Sequence, residues 1–257
     1  MNSPRAQAET DMPEVAATIG EPEPPVVPDS TSFRRARPAS ETRDRSGLAT
    51  AWYRLVQYTC ATLATALVGW RATGQSNLPP TGAVLLVSNH MSFFDVILLG
   101  VAANRPLNYV ARSTLFLPGL GSFISSVGAF PIQREGMGAS GMKETLRRLK
   151  NGGIVALFPE GTRSVDGELG PLKNGIAVLV ARARVPVVPV GLAGTFELWP
   201  RTRLLPGFHP VRAHLGPPIY PEELKGMETA DIAELIRQKM EDCRAEAIRG
   251  LRLDLTC

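Results

Sequence analysis

Residues 83–95 read AVLLVSNHMSFFD, and this stretch decides the fold. Ala83–Ser88 is a continuous apolar run, without the alternation of a strand that has one wet face. Such a run suits a strand buried on both faces, as in a parallel sheet covered by helices. Ser92–Ala103 follows, apolar and long enough for a helix. A strand that passes through a short polar turn into a helix is half of a βα unit.

The same alternation runs outward along the chain. Leu107–Ala111 and Ala129–Ile132 read as a second and a third strand. Gly141–Asn151 is an amphipathic helix, with Met142, Leu146 and Leu149 on one face and Lys143, Arg147, Arg148 and Lys150 off it. Gly152 and Gly153 stop that helix. Ile154–Phe158 is a fourth strand, Asn174–Arg184 a helix, Val187–Val190 a fifth strand and Val211–Leu215 a sixth. Ala230–Ile248 carries Ile232, Leu235, Ile236, Met240 and Cys243 at three-to-four-residue spacing, which predicts a long helix. The expected fold class is therefore α/β, with a mixed, largely parallel central sheet flanked by helices.

The 257 residues hold 28 Lys and Arg against 24 Asp and Glu, a formal charge of +4. Residues 1–45 differ from the rest: they hold 7 of the 22 prolines, no Leu, Trp or Tyr, and 6 basic against 8 acidic residues, net −2. That leaves +6 on the remaining 212 residues. A segment so poor in large apolar residues cannot offset its ordering entropy, so 1–45 is expected to be a disordered tail. It lacks the apolar stretch of a signal peptide. Cys60, Cys243 and Cys257 lie far apart and form no CxxC, which points to a reducing compartment without a structural disulfide or zinc site.

Leu55–Trp70 contains 16 residues without a charge, flanked by Trp52, Tyr53, Arg54 and Arg71. A helix of this length spans about 24 Å, short of the ~30 Å hydrocarbon core. It can lie in or dip into one leaflet, pack as an internal core helix, or form a short, tilted span. Aromatic and Arg residues at both ends, and an arginine cluster upstream, favour a membrane-associated helical segment over residues 46–74. The expected division is then a tail at 1–45, this segment, a globular domain at 75–250 and a C-terminal tail at 251–257. No run of 18 or more apolar residues occurs, which excludes a polytopic membrane protein.

Charged residues gather where predicted strands end. His90 directly follows a buried strand, where α/β active sites lie, and Asp95 stands five residues on. A carboxylate in the first helical turn can reach one ring nitrogen, fix the tautomer and leave the other nitrogen to take a proton. The alternative is a capping role for the pair, and for Ser92 the plain reading is a helix N-cap. Phe158–Ser164 reads FPEGTRS after the fourth strand; Arg163 has the planar fork that grips phosphate. Lys173 precedes a helix start, and Arg134 follows the third strand. Singly, each charge can be a surface ion pair.

Four blocks, NHMSFFD, FPIQR, FPEGTRS and VPVVPV, occur in this order over residues 89–190. They resemble the sequence blocks of the glycerolipid acyltransferases, the lysophosphatidate and glycerol-3-phosphate acyltransferases with an H-x₄-D motif. The departures are Gln133 before Arg134, and LKNG at 172–175 where family members often have Phe. The resemblance implies His90 as general base and Asp95 as its partner. It implies acceptor binding by Arg134, Glu160, Gly161, Thr162, Arg163 and Ser164, and a structural role for Pro189. Lys173 would join Arg134 and Arg163 in holding the acceptor phosphate. It further implies an acyl thioester as co-substrate, acyl-CoA or acyl-carrier protein, with no cofactor, and a lysophospholipid acceptor on a membrane surface, at the cytoplasmic face. The best-fitting acceptor is 1-acylglycerol-3-phosphate at its sn-2 hydroxyl. Another lipid acceptor, such as a lyso-ornithine lipid or another lysophospholipid, and a non-catalytic lipid-binding protein stay open as alternatives.

The residues agree with direct transfer. A thioester is already activated, so the hydroxyl needs deprotonation, positioning and oxyanion stabilisation. No G-x-S-x-G occurs and no Cys lies near the blocks. One His and one carboxylate fall short of a metal ligand set, so no metal is expected. The basic residues are spread rather than gathered in a stripe with aromatics, so no nucleic acid is expected. Leu115–Ile124 (LFLPGLGSFI) can line an acyl path, touch lipid or form a packed core hairpin.

Overall fold

The computed structural model describes residues 46–132 and 137–255. Seven strands form one sheet: β1 (Arg71–Thr73), β2 (Val84–Ser88), β3 (Leu107–Arg112), β4 (Ala129–Ile132), β5 (Ile154–Leu157), β6 (Val187–Ala193) and β7 (Arg212–Leu215). Their spatial order is β1-β7-β6-β2-β5-β3-β4. The pairs β6–β2, β2–β5, β5–β3, β3–β4 and β1–β7 are parallel, and β6–β7 is antiparallel. The sheet is thus mixed and largely parallel, as the alternating pattern predicts.

The helices are α1 (Gly47–Val68), α2 (Asp95–Ala102), α3 (Leu120–Ser126), α4 (Gly138–Lys150), α5 (Gly175–Ala183), α6 (Thr195–Leu198) and α7 (Thr229–Leu255). They cover both faces of the sheet. Val84 and Leu86 of β2 join Leu98 and Leu99 of α2 and Tyr53 of α1 in one core. Leu85 and Val87 point the other way, into a second core with Leu149 of α4, Leu179 of α5 and Ile236 and Met240 of α7. Every residue of β2 is buried, which is why its sequence is apolar up to the final Ser88. Burying each of these large side chains stabilises by about 1.5–3 kcal/mol. Where α7 crosses β6 the backbones nearly touch: a Cβ on Gly191 would lie 2.1 Å from the Arg244 nitrogen, so only glycine fits.

Helix α1 begins at Ser46, whose side chain accepts from the Ala49 N–H, and ends at Gly69 in the left-handed region. One stripe of it packs on α2. Gln57 Nε2 donates to the carbonyls of Gly100 (2.6 Å) and Ala103 (2.7 Å), and the Tyr53 hydroxyl lies 3.1 Å from that of Tyr109. The opposite stripe, with Leu48, Leu55, Tyr58, Leu63 and Leu67, is exposed. Among the described residues no helix is long and apolar enough to cross a membrane, so the spanning reading of this segment is dropped.

Three expectations change at this level. Arg71–Thr73, expected in the membrane-associated segment, is instead an edge strand paired with β7. Residues 251–255, expected as tail, continue α7: Leu251 is buried, and Asp254 pairs with Arg71 (2.9 Å) and with Arg212. The arginines come from β1 and β7, so tertiary charge pairing carries the helix past the point where its apolar spacing stops. The stretch 115–124 is no packed hairpin. It holds a short turn and α3, and leaves Leu115, Leu117, Leu120 and Phe123 exposed. The expected tail at 1–45 and Arg134 lie outside the described residues.

Candidate active site

The carboxyl ends of β2 and β5 are neighbours in the sheet, so the turns that follow them meet. The turn after β2 begins with Asn89, whose amide donates to the Leu192 carbonyl (3.0 Å) and accepts from the Leu192 N–H (2.7 Å). This continues the β2–β6 ladder through a side chain and sets where His90 leaves the sheet.

The next residues fold around Asp95. Its Oδ2 accepts the Met91 N–H (2.6 Å), the Ser92 N–H (2.7 Å) and His90 Nδ1 (2.9 Å), and the carboxylate is fully buried. An ionised carboxylate can only accept, so Nδ1 carries the proton and Nε2 keeps its lone pair. The His90 side chain is 19% exposed, enough for its outer nitrogen to be reached. The ring stacks on Phe158 from the neighbouring turn, centroids 4.0 Å apart and planes 15° apart. Helix α2 starts at Asp95 and not at Ser92. Ser92 is no N-cap: its hydroxyl accepts the Phe94 N–H (3.2 Å) within the turn. Asp95 gathers the first amides instead.

The turn after β5 supplies the second group. Gly161 sits at φ +71°, a conformation that favours glycine, and its N–H closes on the Phe158 carbonyl (3.0 Å). Ser164 donates its N–H to the His90 carbonyl (2.7 Å), and its hydroxyl donates to Asp166 (2.9 Å) and accepts the Gly167 N–H (3.0 Å). Glu160 is 4% exposed; Oε1 accepts the His90 N–H (2.8 Å) and Oε2 the Gly170 N–H (3.1 Å). Burial pushes this carboxyl up to about 7; the two N–H donors and Arg244 oppose the rise, and the Asp95 charge adds to it. Glu160 and Ser164, expected to touch an acceptor, thus spend their polar atoms on the loops themselves. Thr162 is exposed at the tip of the turn. Lys173 is exposed too; its N–H donates to the Pro159 carbonyl (2.9 Å), and its stem passes beside Gly161.

Arg163 lies with its guanidinium 3.5 Å above the ring of Phe93. Among the described residues its Nη1 is buried without a hydrogen-bond partner. Burial pushes its pKa down from the ordinary arginine range, and the like charges of Arg201 and Arg112 add to that; Asp95 opposes. Arg112, at the end of β3, and Arg201 thus lie near enough for their charges to act on Arg163. Phe93 also packs on Trp199 (4.9 Å between centroids), and an open cavity of about 450 Å³ is lined by Phe93, Trp199, Arg201, Thr202, Arg203 and Leu204. An oxyanion at this position could accept from the orphaned Nη1 and offset the mutual repulsion.

Sequence reading alone missed Arg112, Arg201 and the two aromatic platforms, Phe93 and Phe158. Phe93 and Phe158 stand inside the quoted blocks, but an aromatic there reads equally as core. Arg112 and Arg201 had no local pattern to mark them.

Residues 70–193 match the family model described as Acyltransferase. The chain is 37% identical over 133 residues to the chloroplastic 1-acyl-sn-glycerol-3-phosphate acyltransferase BAT2 of Brassica napus, covering 49% of this chain and 38% of that protein. It is 35% identical over 128 residues to the 1-acyl-sn-glycerol-3-phosphate acyltransferase of Bacillus subtilis, covering 49% of this chain and 63% of that one. The chain thus spans less than two thirds of the length of these relatives. Among solved structures, the 1-acyl-sn-glycerophosphate (LPA) acyltransferase PlsC of Thermotoga maritima superposes with a TM-score of 0.67 at 25% identity, covering 79% of this chain and 84% of that one. His90, Asp95 and the 158–164 turn fall within the matched span, whereas Arg201 and α7 lie beyond it.

Proposed function

We propose that this chain, whose residues 70–193 match the Acyltransferase family model, acylates the sn-2 hydroxyl of 1-acylglycerol-3-phosphate, giving phosphatidic acid. The observation that carries the reading is the His90–Asp95 pair together with Arg163, whose Nη1 is buried without a partner among the described residues and which feels the charges of Asp95, Arg112 and Arg201. A base and an anion site at one sheet edge suit a hydroxyl acceptor that also bears a phosphate.

In the proposed reaction His90 Nε2 takes the acceptor hydroxyl proton as the oxygen attacks the thioester carbonyl. The new C–O bond forms, the C–S bond breaks, and the proton passes from His90 to the departing thiolate. Base catalysis of this kind contributes about 10²–10⁴-fold. Asp95 holds Nδ1–H and stabilises the imidazolium while it lasts. Arg163, with the charges of Arg112 and Arg201 acting beside it, holds the phosphate; the resemblance adds Lys173 and Arg134. The donor is acyl-CoA or acyl-carrier protein.

A lipid acceptor and product suit a membrane surface, and we propose the cytoplasmic face. Support comes from exposed apolar residues beside the cations: Leu115, Leu117, Leu120 and Phe123 follow Arg112, and Leu204, Leu205 and Phe208 follow Arg201. Trp52 Nε1 donates to Ser126 Oγ (2.9 Å), which ties α3 to the N-terminal helix with its own exposed apolar stripe. Isolated apolar side chains are ordinary on a surface, but several flanking one site mark an interaction face.

The test is acyl transfer in vitro from acyl-CoA to a panel of lyso-lipids. Phosphatidic acid from 1-acylglycerol-3-phosphate, well above any product from an acceptor without a phosphate monoester, is the expected result. Activity confined to unphosphorylated acceptors would overturn the assignment of the arginines.

A further inference from the structure

Glu160 is the charged group of the site that the reaction scheme leaves unused. We propose that Glu160 is a positioning residue, whose carboxylate braces the main chain of the base His90 and does not touch the acceptor. The inference rests on the reading of His90 as general base.

Its support is geometric. The His90 peptide is held on both sides by one loop: Glu160 Oε1 takes its N–H at 2.8 Å, and the Ser164 N–H meets its carbonyl at 2.7 Å. The other carboxylate oxygen takes the Gly170 N–H at 3.1 Å, which closes the loop from 160 to 170 on itself. A Cβ at position 170 would stand 3.2 Å from that oxygen, so glycine permits the approach. Each oxygen takes a backbone N–H and the residue is 4% exposed, so it is burial that keeps the carboxylate from a ligand. Asp95 and Phe158 already hold the ring of His90. Glu160 adds the remaining restraint, on the backbone from which the ring projects.

The ionised form is the one that fits. A carboxylate accepts two N–H groups, whereas a neutral carboxyl would turn an O–H toward one of them. The charges facing the group are Asp95, which disfavours ionisation, and Arg244, which favours it, while burial is the largest influence and places its titration near neutrality. The brace therefore loosens as the medium becomes acidic.

The experiment uses the full chain with Glu160→Gln and Glu160→Ala. Gln keeps an acceptor oxygen for one N–H but faces the other with a donor, so it is expected to rescue part of what Ala loses. Displacing a base by around an ångström costs about 10²-fold. The expected result is kcat down about 10²-fold in Glu160→Ala and less in Glu160→Gln, with the KM for 1-acylglycerol-3-phosphate within about 2-fold of wild type. Circular dichroism confirms that the variants are folded. A readout independent of activity is the Gly170 amide in ¹H–¹⁵N NMR. Its shift is expected to titrate near neutral pH in the wild type and in His90→Ala, and not in Glu160→Gln. A raised acceptor KM with unchanged kcat would overturn the proposal in favour of acceptor contact, and a Gly170 amide blind to pH would overturn the brace. A wild-type protein inactive on every acceptor would instead remove the proposed reaction, while the amide titration still decides the brace.

Discussion

Replacing Asp95 by Asn separates charge from shape at the buried pair. Oδ2 receives three donors, at 2.6, 2.7 and 2.9 Å, so the asparagine carbonyl will take that position; its amino group would face three N–H donors there. The amino group then lands where Oδ1 is buried without a partner, and leaving it unpaired costs about 1–3 kcal/mol of stability. The three bonds weaken from charge-assisted to neutral, by about 1 kcal/mol each. The tautomer of His90 survives, but the imidazolium loses its counter-charge. At about 4 Å between charge centres and an effective dielectric of about 20, that counter-charge supplies about 4 kcal/mol, or up to ~10³-fold in rate. Thiol release from acyl-CoA with saturating 1-acylglycerol-3-phosphate measures kcat, and urea unfolding measures stability. The expected outcome is kcat lower by about 10²–10³-fold, acceptor KM within about 3-fold, and a folded but less stable protein. A folded variant whose kcat stays within about 3-fold of wild type would refute the electrostatic role of Asp95.

Arg163→Ala should raise the KM for 1-acylglycerol-3-phosphate by about 10–10²-fold, the worth of a charge-assisted contact, and leave turnover of an unphosphorylated acceptor unchanged; an equal loss on both would contradict phosphate binding. Gly191→Ala should cost more than about 3 kcal/mol in urea unfolding, because the new Cβ meets the α7 backbone at 2.1 Å and neither backbone can give way; a near-neutral effect would contradict the β6–α7 contact. Glu160 also couples stability to pH. Its folded value of about 7 lies above the ordinary 4.5, so the folded state binds the proton more tightly, and this contribution is present below about pH 4.5 and lost as pH rises to about 7. The loss amounts to about 3 kcal/mol in the wild type and is absent in Glu160→Gln, as the difference between their urea stabilities across that range measures; a constant difference would contradict it.

What could be read directly from residues was what local physics determines. β2, β5 and β6 are buried on both faces, so their sequences are unbroken apolar runs, and α4 shows its amphipathic stripe. β1 is a three-residue edge strand, Arg-Ala-Thr, whose existence depends on pairing with β7 some 140 residues on; nothing local announces it. The end of α7 depends likewise on Asp254 finding Arg71 and Arg212. At the site, the His90–Asp95 spacing was legible because both groups share one turn. The arginines were only partly legible: Arg163 stands in a recognisable block, whereas Arg112 at the end of β3 and Arg201 in a distant loop act on it only through the fold. The surroundings of Glu160 were illegible for a related reason. The resemblance implied acceptor binding for it, and only the fold brings the His90 and Gly170 amides to its carboxylate.

The most direct measurement is acyl transfer from acyl-CoA to 1-acylglycerol-3-phosphate by the wild type and by His90→Ala, followed as phosphatidic acid formed. With His90 as the base, the wild type turns over and the folded variant falls by about 10²–10⁴-fold at saturating acceptor. A folded His90→Ala protein that forms phosphatidic acid at the wild-type rate would contradict the assignment of the base, and with it the mechanism built on the β2 turn.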